Sequence, residues 1–306
     1  MNPFFYSDTN KRYYTYDYYM RTHLGRKCAR IPLDGGFTCP NIDGTKGKGG
    51  CAYCELPKRV PTLRNLPLRE QFNAGCEVLD GKWKGAARIA YFRDYTNTYA
   101  PTERIRSLCE EVLTFPDVVG ICIGTRADCL EDETLKYLRD LDSRTFLTVE
   151  LGLQTVHENT ARFIGRGHTY DEFLKGYRKL EGLRVGVHLI NSLPGETREM
   201  MLESVRTVAE LHPAMIKLHM LCVTPDTRLY ETYKAGVFSL MTLEEYTALV
   251  CDELEIIPAD ICIGRLSADA PMDGIVYPLW TKNKKAVMNE IDKLLAKRGT
   301  HQGIFV

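Results

Sequence analysis

The fold of this chain is decided by the stretch Gly35-Gly36-Phe37-Thr38-Cys39-Pro40-Asn41 and by the later Gly49-Gly50-Cys51-Ala52-Tyr53-Cys54. Together they place three cysteines in a glycine-rich loop with the spacing C-x11-C-x2-C. Three thiolates can bind three irons of a [4Fe–4S] cluster, which normally takes four cysteines. Glycine suits such a loop because it allows close backbone approach and positive φ. The pattern predicts a cluster whose fourth iron is open to a small molecule.

Two other uses of Cys39, Cys51 and Cys54 remain open on spacing alone. A structural zinc ion needs four ligands, and Cys28 or His23 could supply the fourth. A disulfide is disfavoured because eleven cysteines leave an odd thiol and the chain opens without a signal-peptide pattern. Under the cluster interpretation Tyr53 lies beside the ligand of the open iron. Otherwise it is an ordinary loop aromatic.

Composition limits the class of protein. The chain has 306 residues, of which 44% are hydrophobic, so a large core can be buried. No run of eighteen apolar residues occurs, and we therefore expect no membrane span. The many unpaired cysteines suit a reducing compartment, which predicts a cytoplasmic protein.

Charge is balanced overall but unevenly spread. Residues 1–69 carry twelve Lys and Arg against five Asp and Glu, an excess of seven. A second basic run, centred on a helix predicted near 283–298, contains Lys282, Lys284, Lys285, Lys293, Lys297 and Arg298. The first 27 residues are also rich in tyrosine, and aromatic and basic side chains together are typical of RNA binding. An arm whose tyrosines pack on the domain, with solvated charges, explains the same pattern.

Strands and helices alternate after residue 28. Short apolar runs rich in β-branched residues predict strands at about 29–34, 87–93, 118–124, 145–152, 184–190 and 214–221. Six βα units imply a parallel sheet with right-handed crossovers. Since a closed barrel needs eight, we predict an α/β fold, a partial (βα)6 TIM-like barrel. The arm is assigned to 1–27, the barrel to 28–240, and a C-terminal extension over the open side to 241–306. We expect the arm and the basic C-terminal helix to lie near one another and to flank the barrel mouth.

Polar residues follow every predicted strand. In barrels the chemistry gathers where strands end, so these residues are candidates for one site. Single members could equally be turn or capping residues. Besides the cysteine loop, they are Thr96-Asn97-Thr98, Thr125-Arg126-Ala127-Asp128, Gln154-Thr155, Asn191 through Glu196, and His219.

These motifs together resemble the radical S-adenosylmethionine (SAM) enzymes, in particular the bacterial branch related to the radical domain of the Elongator catalytic subunit. The similarity runs from about Gly25 to Gln302 and favours the cluster over zinc. It is carried by the cysteine loop and by Tyr95-Thr96-Asn97-Thr98, Gly124-Thr125-Arg126, Glu150-Leu151-Gly152-Leu153-Gln154-Thr155, Arg166-Gly167-His168, Leu193-Pro194-Gly195-Glu196-Thr197 and Pro278-Leu279-Trp280.

The resemblance implies two cofactors, a [4Fe–4S] cluster and SAM. SAM would chelate the open iron, and its reductive cleavage would give a 5′-deoxyadenosyl radical that abstracts hydrogen from the substrate. By position, Cys39, Cys51 and Cys54 would bind the cluster, and Thr96, Asn97 and Thr98 would contact the methionyl amino group. Arg126 and Gln154 would face the carboxylate and ribose. The adenine would be bordered by Asn191 and the turn containing Pro194, Gly195 and Glu196.

The resemblance also implies partners. We expect a tRNA substrate, modified at the side chain of a wobble uridine, and a low-potential reductant such as flavodoxin or ferredoxin. A small metabolite as substrate, and a non-catalytic Fe–S or zinc protein that binds RNA, remain as alternatives. The chain departs from the family where strand two lacks the Gly-Gly-Glu motif. It also has Arg93 and Asp94 where glutamine and alanine are common, and these two would alter the pocket or form a local ion pair.

Overall fold

The centre of the molecule is one curled sheet of seven parallel strands. We analysed a computed structural model, which describes residues 4–54, 66–268 and 274–306. Each strand pairs with the next along the chain, in the order β1 to β7. The strands are β1 Cys28–Leu33, β2 Ala87–Phe92, β3 Val118–Thr125, β4 Phe146–Gln154, β5 Val185–Asn191, β6 Met215–Met220 and β7 Cys262–Arg265. The predicted partial barrel is confirmed.

Helices cover the outside of the sheet. They are α1 Tyr16–Leu24, α2 Leu68–Asp80, α3 Thr102–Leu113, α4 Asp132–Arg144, α5 Glu158–Phe163, α6 Tyr170–Lys179, α7 Arg198–Ala209, α8 Leu229–Lys234, α9 Leu243–Glu255 and α10 Lys284–Arg298. Apolar residues such as Ile105, Cys109 and Val112 form the buried face of α3, at the spacing of a helix that packs on a sheet. The helix predicted near 283–298 corresponds to α10.

Alternation along the strands sorts side chains between core and lumen. In β4, Leu147, Val149 and Leu151 belong to the large core under the helices. Successive side chains of a strand point to opposite faces. Thr148 and Glu150 therefore point into the lumen. The same parity puts polar and charged residues of several strands inside the barrel.

The seventh strand comes from the segment assigned to the C-terminal extension. Ile216 pairs with Ile263, so β7 continues the sheet beyond β6. It spans only four residues, too few for a periodic pattern to stand out. Outside it, α9 and α10 pack against each other, with Cys251, Val287 and Ile291 buried.

The N-terminal arm closes the bottom of the barrel. Thr15 caps α1 and forms a parallel bridge with Ile263 of β7. The Tyr19 ring contacts Phe146, the first residue of β4, at a centroid distance of 6.2 Å. The arm is thus packed by its tyrosines, as one of the two interpretations expected. We expected it to flank the barrel mouth, and that expectation is wrong because these contacts lie at the amino ends of the strands.

The basic arm and the basic C-terminal helix do lie side by side. Lys11 forms a salt bridge with Asp292 in the middle of α10. Arg12 donates to the carbonyl oxygen of Thr300 (3.2 Å), just after that helix. Arg21 pairs with Asp8 at 2.7 Å and with Asp17 at 3.0 Å. Much of the arm's positive charge is therefore neutralised within the protein.

Two further structural facts bear on the sequence predictions. All eleven cysteines lie in the described part of the chain, and all are free. Among the described residues, no helix combines the length and the apolar composition needed to cross a bilayer.

Candidate active site

A cavity of about 380 Å³ opens at the carboxyl ends of the strands. The cysteine loop that follows β1 forms one wall, and residues from the ends of β2, β3, β4 and β5 form the rest. All three predicted cluster ligands line it, as do four of the predicted SAM contacts. The lining residues named in the sequence prediction are Cys39, Cys51, Cys54, Tyr53, Thr96, Arg126 and Gln154.

The backbone of Ala52 fixes the two neighbouring cysteines. Its N–H donates to the carbonyl oxygen of Ile164 at the end of α5 (2.7 Å). Its carbonyl oxygen accepts from the N–H of Leu229 at the start of α8 (3.2 Å). Ala52 is 6% exposed. Cys51 and Cys54 are therefore held from both sides while their side chains line the cavity.

Asn41 connects the cysteine loop to the Arg166-Gly167-His168 turn. Its side-chain amide donates to the carbonyl oxygens of Gly165 (2.9 Å) and Arg166 (2.7 Å), and lies 3.3 Å from the sulfur of Cys51. A Cβ added at Gly167 would stand 2.1 Å from Asn41 Oδ1, and Gly167 has a φ of +76°. Only glycine fits there, so this turn and the loop fit together as one unit.

Arg126 supports the same turn from the end of β3. Its guanidinium makes two 2.9 Å bonds to Asp128 and donates to the carbonyl oxygens of Arg166 (2.7 Å) and Gly167 (3.2 Å). Burial disfavours its charge, but Asp128 keeps the pKa of Arg126 above its usual range. Arg126 lines the cavity, yet four of its five N–H donors are already used inside the protein.

His168 was missed as a site residue, although its motif was recognised. Its side chain is 1% exposed and lines the cavity. Neither ring nitrogen has a hydrogen-bond partner among the described residues. Burial, together with the fields of Arg166 and Arg126, lowers the pKa of His168 to about 3. A neutral imidazole therefore offers one unused donor and one unused acceptor to a bound molecule.

The donor set fits an iron–sulfur cluster better than one zinc ion. Cys28 begins β1 and His23 stacks near Phe146, so both lie at the opposite end of the strands from the cavity. Zn–S bonds of about 2.3 Å would bring tetrahedral thiolates to about 3.8 Å from one another. In the described residues no three His, Cys, Asp or Glu side chains converge in that way. Thiolates on separate irons of a cluster stand farther apart and fit three thiols spread over one wall.

Gln154 lies at the end of β4 in an unusual conformation. Its φ is +65°, and a Cβ on Gly152 would lie 2.5 Å from Gln154 Nε2. The side chain therefore folds back over Gly152 at the cavity wall. A non-glycine residue with positive φ is uncommon and often marks a functional position.

Asn97 and Thr98, by contrast, face the protein. The Asn97 amide donates to the carbonyl oxygens of Phe92 (3.1 Å) and Gly124 (2.7 Å), which ties β2 to β3. The Thr98 hydroxyl donates to the carbonyl oxygen of Cys129. Their neighbour Thr96 is the member of this trio that reaches the cavity.

The predicted adenine border also lies outside the cavity lining. Asn191 donates from its amide to Glu253 of α9 (2.9 Å), and both residues are fully buried. Glu196 accepts a hydrogen bond from Thr155, which joins the ends of β4 and β5. Pro194 and Gly195 lie in the turn between Asn191 and Glu196.

Arg93 and Asp94 form a local ion pair on the cavity wall. The two bonds measure 3.0 and 3.3 Å. The local ion pair expected of this departure from the family pattern is therefore present, and both of its residues line the cavity.

A buried polar group at the floor of the cavity was not predicted. Glu150 of β4 accepts from the Tyr91 hydroxyl (2.7 Å) and from His188 Nε2 (3.0 Å), and pairs with Lys217 (2.5 Å) and Arg30 (2.9 Å). Burial opposes its ionisation, but Arg30 and Lys217 hold the pKa of Glu150 well below its usual range. The signal was present in the sequence as single charged residues inside apolar strands.

Comparison with known proteins agrees with this geometry. The family model of the Radical SAM superfamily matches residues 44–208, and that of the Radical_SAM C-terminal domain matches residues 213–297. Uncharacterized protein YtqA of Bacillus subtilis is 44% identical over 99% of this chain and 96% of its own length.

Two further comparisons bear on the resemblance to the Elongator catalytic subunit. The tRNA uridine(34) acetyltransferase of Methanocaldococcus jannaschii is 30% identical over 59% of this chain, but only 33% of that protein is covered. A solved structure of Elp3 from Methanocaldococcus infernus superimposes with a TM-score of 0.64, covering 90% of this chain and 64% of that one at 20% identity. The structural similarity supports the fold.

Proposed function

The chain belongs to the radical SAM superfamily, and from that premise we propose that it modifies the side chain of a wobble uridine in tRNA. Enzymes of this superfamily use a [4Fe–4S] cluster and SAM. The observation that carries the substrate proposal is the similarity of 59% of the chain to a tRNA uridine(34) acetyltransferase. Because only a third of that protein is covered, acetyl transfer is not part of the proposal.

The residues have distinct roles under this proposal. Cys39, Cys51 and Cys54 hold the cluster, and Tyr53, Thr96 and Gln154 contact SAM from the cavity wall. When bound, the two cofactors supply a radical that removes a hydrogen atom from the substrate. The protein's contribution is to orient the reactants and to exclude water from a buried site.

The remaining predicted residues support the cavity wall through contacts within the protein. Asn97, Thr98 and Asn191 fix the strand ends through the hydrogen bonds described above. Arg126 positions the turn that contacts the cysteine loop, and Glu196 fixes the turn containing Pro194 and Gly195. A low-potential donor of the flavodoxin or ferredoxin type would reduce the cluster.

Nucleoside analysis tests the proposal. In a strain that lacks the gene, digested total tRNA should lose one wobble nucleoside and accumulate its precursor. Wild-type protein and the Cys28→Ala variant should restore the nucleoside, because Cys28 lies at the far end of β1. Cys51→Ala should not restore it.

One observation favours a second candidate, a radical enzyme that acts on a small metabolite. Net charge is zero, and much of the positive charge of the arm is paired internally. Unchanged tRNA nucleosides in the deletion strain, with 5′-deoxyadenosine formation unaffected by added tRNA, would favour the metabolite.

A further inference from the structure

The floor of the cavity carries more buried positive than negative charge. Arg30 Nη1 lies 2.9 Å from one oxygen of Glu150, and Lys217 Nζ lies 2.5 Å from the other. The side chains of Lys217, Glu150 and Arg30 are 2%, 0% and 14% exposed. Among the described residues, neither cation has a salt bridge to a second carboxylate. Two cations therefore share one anion.

The neighbouring groups do not restore the balance. Tyr91 and His188 both hydrogen-bond the oxygen of Glu150 that Lys217 also contacts, so the acceptor capacity of this oxygen is used. Burial and the field of Lys217 lower the pKa of His188 to about 4, which leaves its ring neutral at pH 7. Arg265 of β7 adds further positive field at Lys217.

Two buried cations that share one carboxylate destabilise the folded protein unless a second anion lies near them. Removing an ion from water costs several kcal/mol, and buried charges are normally paired. Burial, together with Arg30, lowers the pKa of Lys217 to about 8. A second anion nearby would raise this pKa again and favour the charged amine. An incoming anion would remove this imbalance.

We propose that the floor of the barrel binds an oxyanion of the substrate, a carboxylate or a phosphate ester, in the positive field of Lys217 and Arg30. Tyr91, Glu150 and His188 line the cavity, and Lys217 and Arg30 contact Glu150 from behind the lining. A molecule that enters past the cysteine loop therefore reaches the lining side of this charged group. The inference rests on the cavity being the substrate site, as the proposed function holds. It adds that the part of the substrate entering the barrel is negatively charged.

The two sources of such an anion have different consequences. A phosphodiester backbone stays outside a barrel lumen, so for tRNA the anion would be a carboxylate on the side chain of the modified base. A phosphate ester at the floor would instead indicate a small phosphorylated metabolite. Acetate and methyl phosphate therefore serve as separate probes.

Thermal unfolding of the reconstituted, SAM-bound protein tests the proposal. Sodium acetate or methyl phosphate is compared with sodium chloride at equal ionic strength. A ligand that binds only the native state raises Tm by mass action. At about five times its dissociation constant, one probe should raise Tm by about 2–4 °C above the chloride reference.

Three variants locate the effect. Lys217→Met should abolish the Tm rise, while Lys285→Met, an exposed lysine on α10, should retain it. Glu150→Gln removes the competing carboxylate, so the same rise should appear at a several-fold lower anion concentration. If Lys217→Met does not fold, the direction of the Glu150→Gln change decides.

Several results would overturn the proposal. They are no difference between either probe and chloride in wild type, an unchanged response in Lys217→Met, and a weaker response in Glu150→Gln. A charge group that is purely structural gives the first of these. Because the measurement uses no RNA, it can succeed or fail independently of the tRNA assignment.

Discussion

At the residue scale, His168 is a buried cavity side chain whose two ring nitrogens have no hydrogen-bond partner among the described residues. We expect His168→Ala to weaken SAM binding by about 2–10-fold, since a neutral hydrogen bond contributes about 0.5–1.5 kcal/mol. Calorimetry on the reconstituted protein measures this, and the iron content should stay unchanged. His212→Gln, at an exposed position after α7, is the control. Equal SAM affinity in the His168→Ala and control proteins would exclude a direct contact.

Gly167 allows a sharper test because the chain contains a matched glycine. Gly167 and Gly236 have φ values of +76° and +72°, but a Cβ has open space at Gly236 and meets Asn41 at Gly167. In both alanine variants the left-handed conformation should lower the free energy of unfolding by about 1–2 kcal/mol. The free energy of unfolding of Gly167→Ala should fall by at least about 1 kcal/mol more, because its added Cβ would overlap with Asn41.

Gly167→Ala should also bind less iron after anaerobic reconstitution, because the displaced Asn41 contacts Cys51. Chemical unfolding and iron analysis measure the two effects. If Gly167→Ala and Gly236→Ala behave alike in both, the turn does not position the cysteine loop.

At the scale of elements, sequence patterns located β1 to β6 within one or two residues because each is a short, mostly apolar run. They could not identify the charged floor, since Glu150 and Lys217 stand 67 positions apart and meet only when β4 and β6 curl around one lumen. Likewise Asn191 lies at the end of β5, as predicted. Only the packing of α9 decides that its amide meets Glu253 rather than a ligand.

The contact between β5 and α9 should make stability depend on pH. Burial raises the pKa of Glu253 from 4.5 to about 8, partly opposed by the Asn191 hydrogen bond. A pKa raised on folding favours the native state fully below about pH 4.5, and this contribution is lost as pH rises toward 8. The free energy of unfolding should therefore fall across this window, by up to roughly 1.4 kcal/mol per pH unit.

Glu253→Gln keeps a neutral partner for Asn191 and should flatten that decline. Urea unfolding at pH 5, 6, 7 and 8 measures it, and the exposed Glu244→Gln on the same helix is the control. A slope that is equally steep in Glu253→Gln would mean that other groups cause the decline.

At the scale of the whole molecule, the cysteine loop and the N-terminal arm occupy opposite ends of the barrel. Composition described the arm correctly as basic and aromatic, but it could not say whether the aromatic rings face RNA or the protein. The answer depends on a long-range contact, the packing of the arm against Phe146, Ile263 and α10. The charge pattern could not show that the arm's cations are paired within the protein. Lys11 and Asp292 form a salt bridge although they are 281 positions apart in the chain.

The arm should therefore behave as part of the core. Tyr13 is 2% exposed and Phe5 is 76% exposed, although both are arm aromatics. Tyr13→Ala should destabilise the protein by about 3–5 kcal/mol, the usual cost of removing a buried aromatic side chain. Phe5→Ala should change stability by less than about 0.5 kcal/mol. Tyr13→Ala should bind tRNA as wild type does wherever it is folded, measured by filter binding at low salt. Reduced tRNA affinity in a fully folded Tyr13→Ala protein would show instead that the arm takes part in RNA recognition.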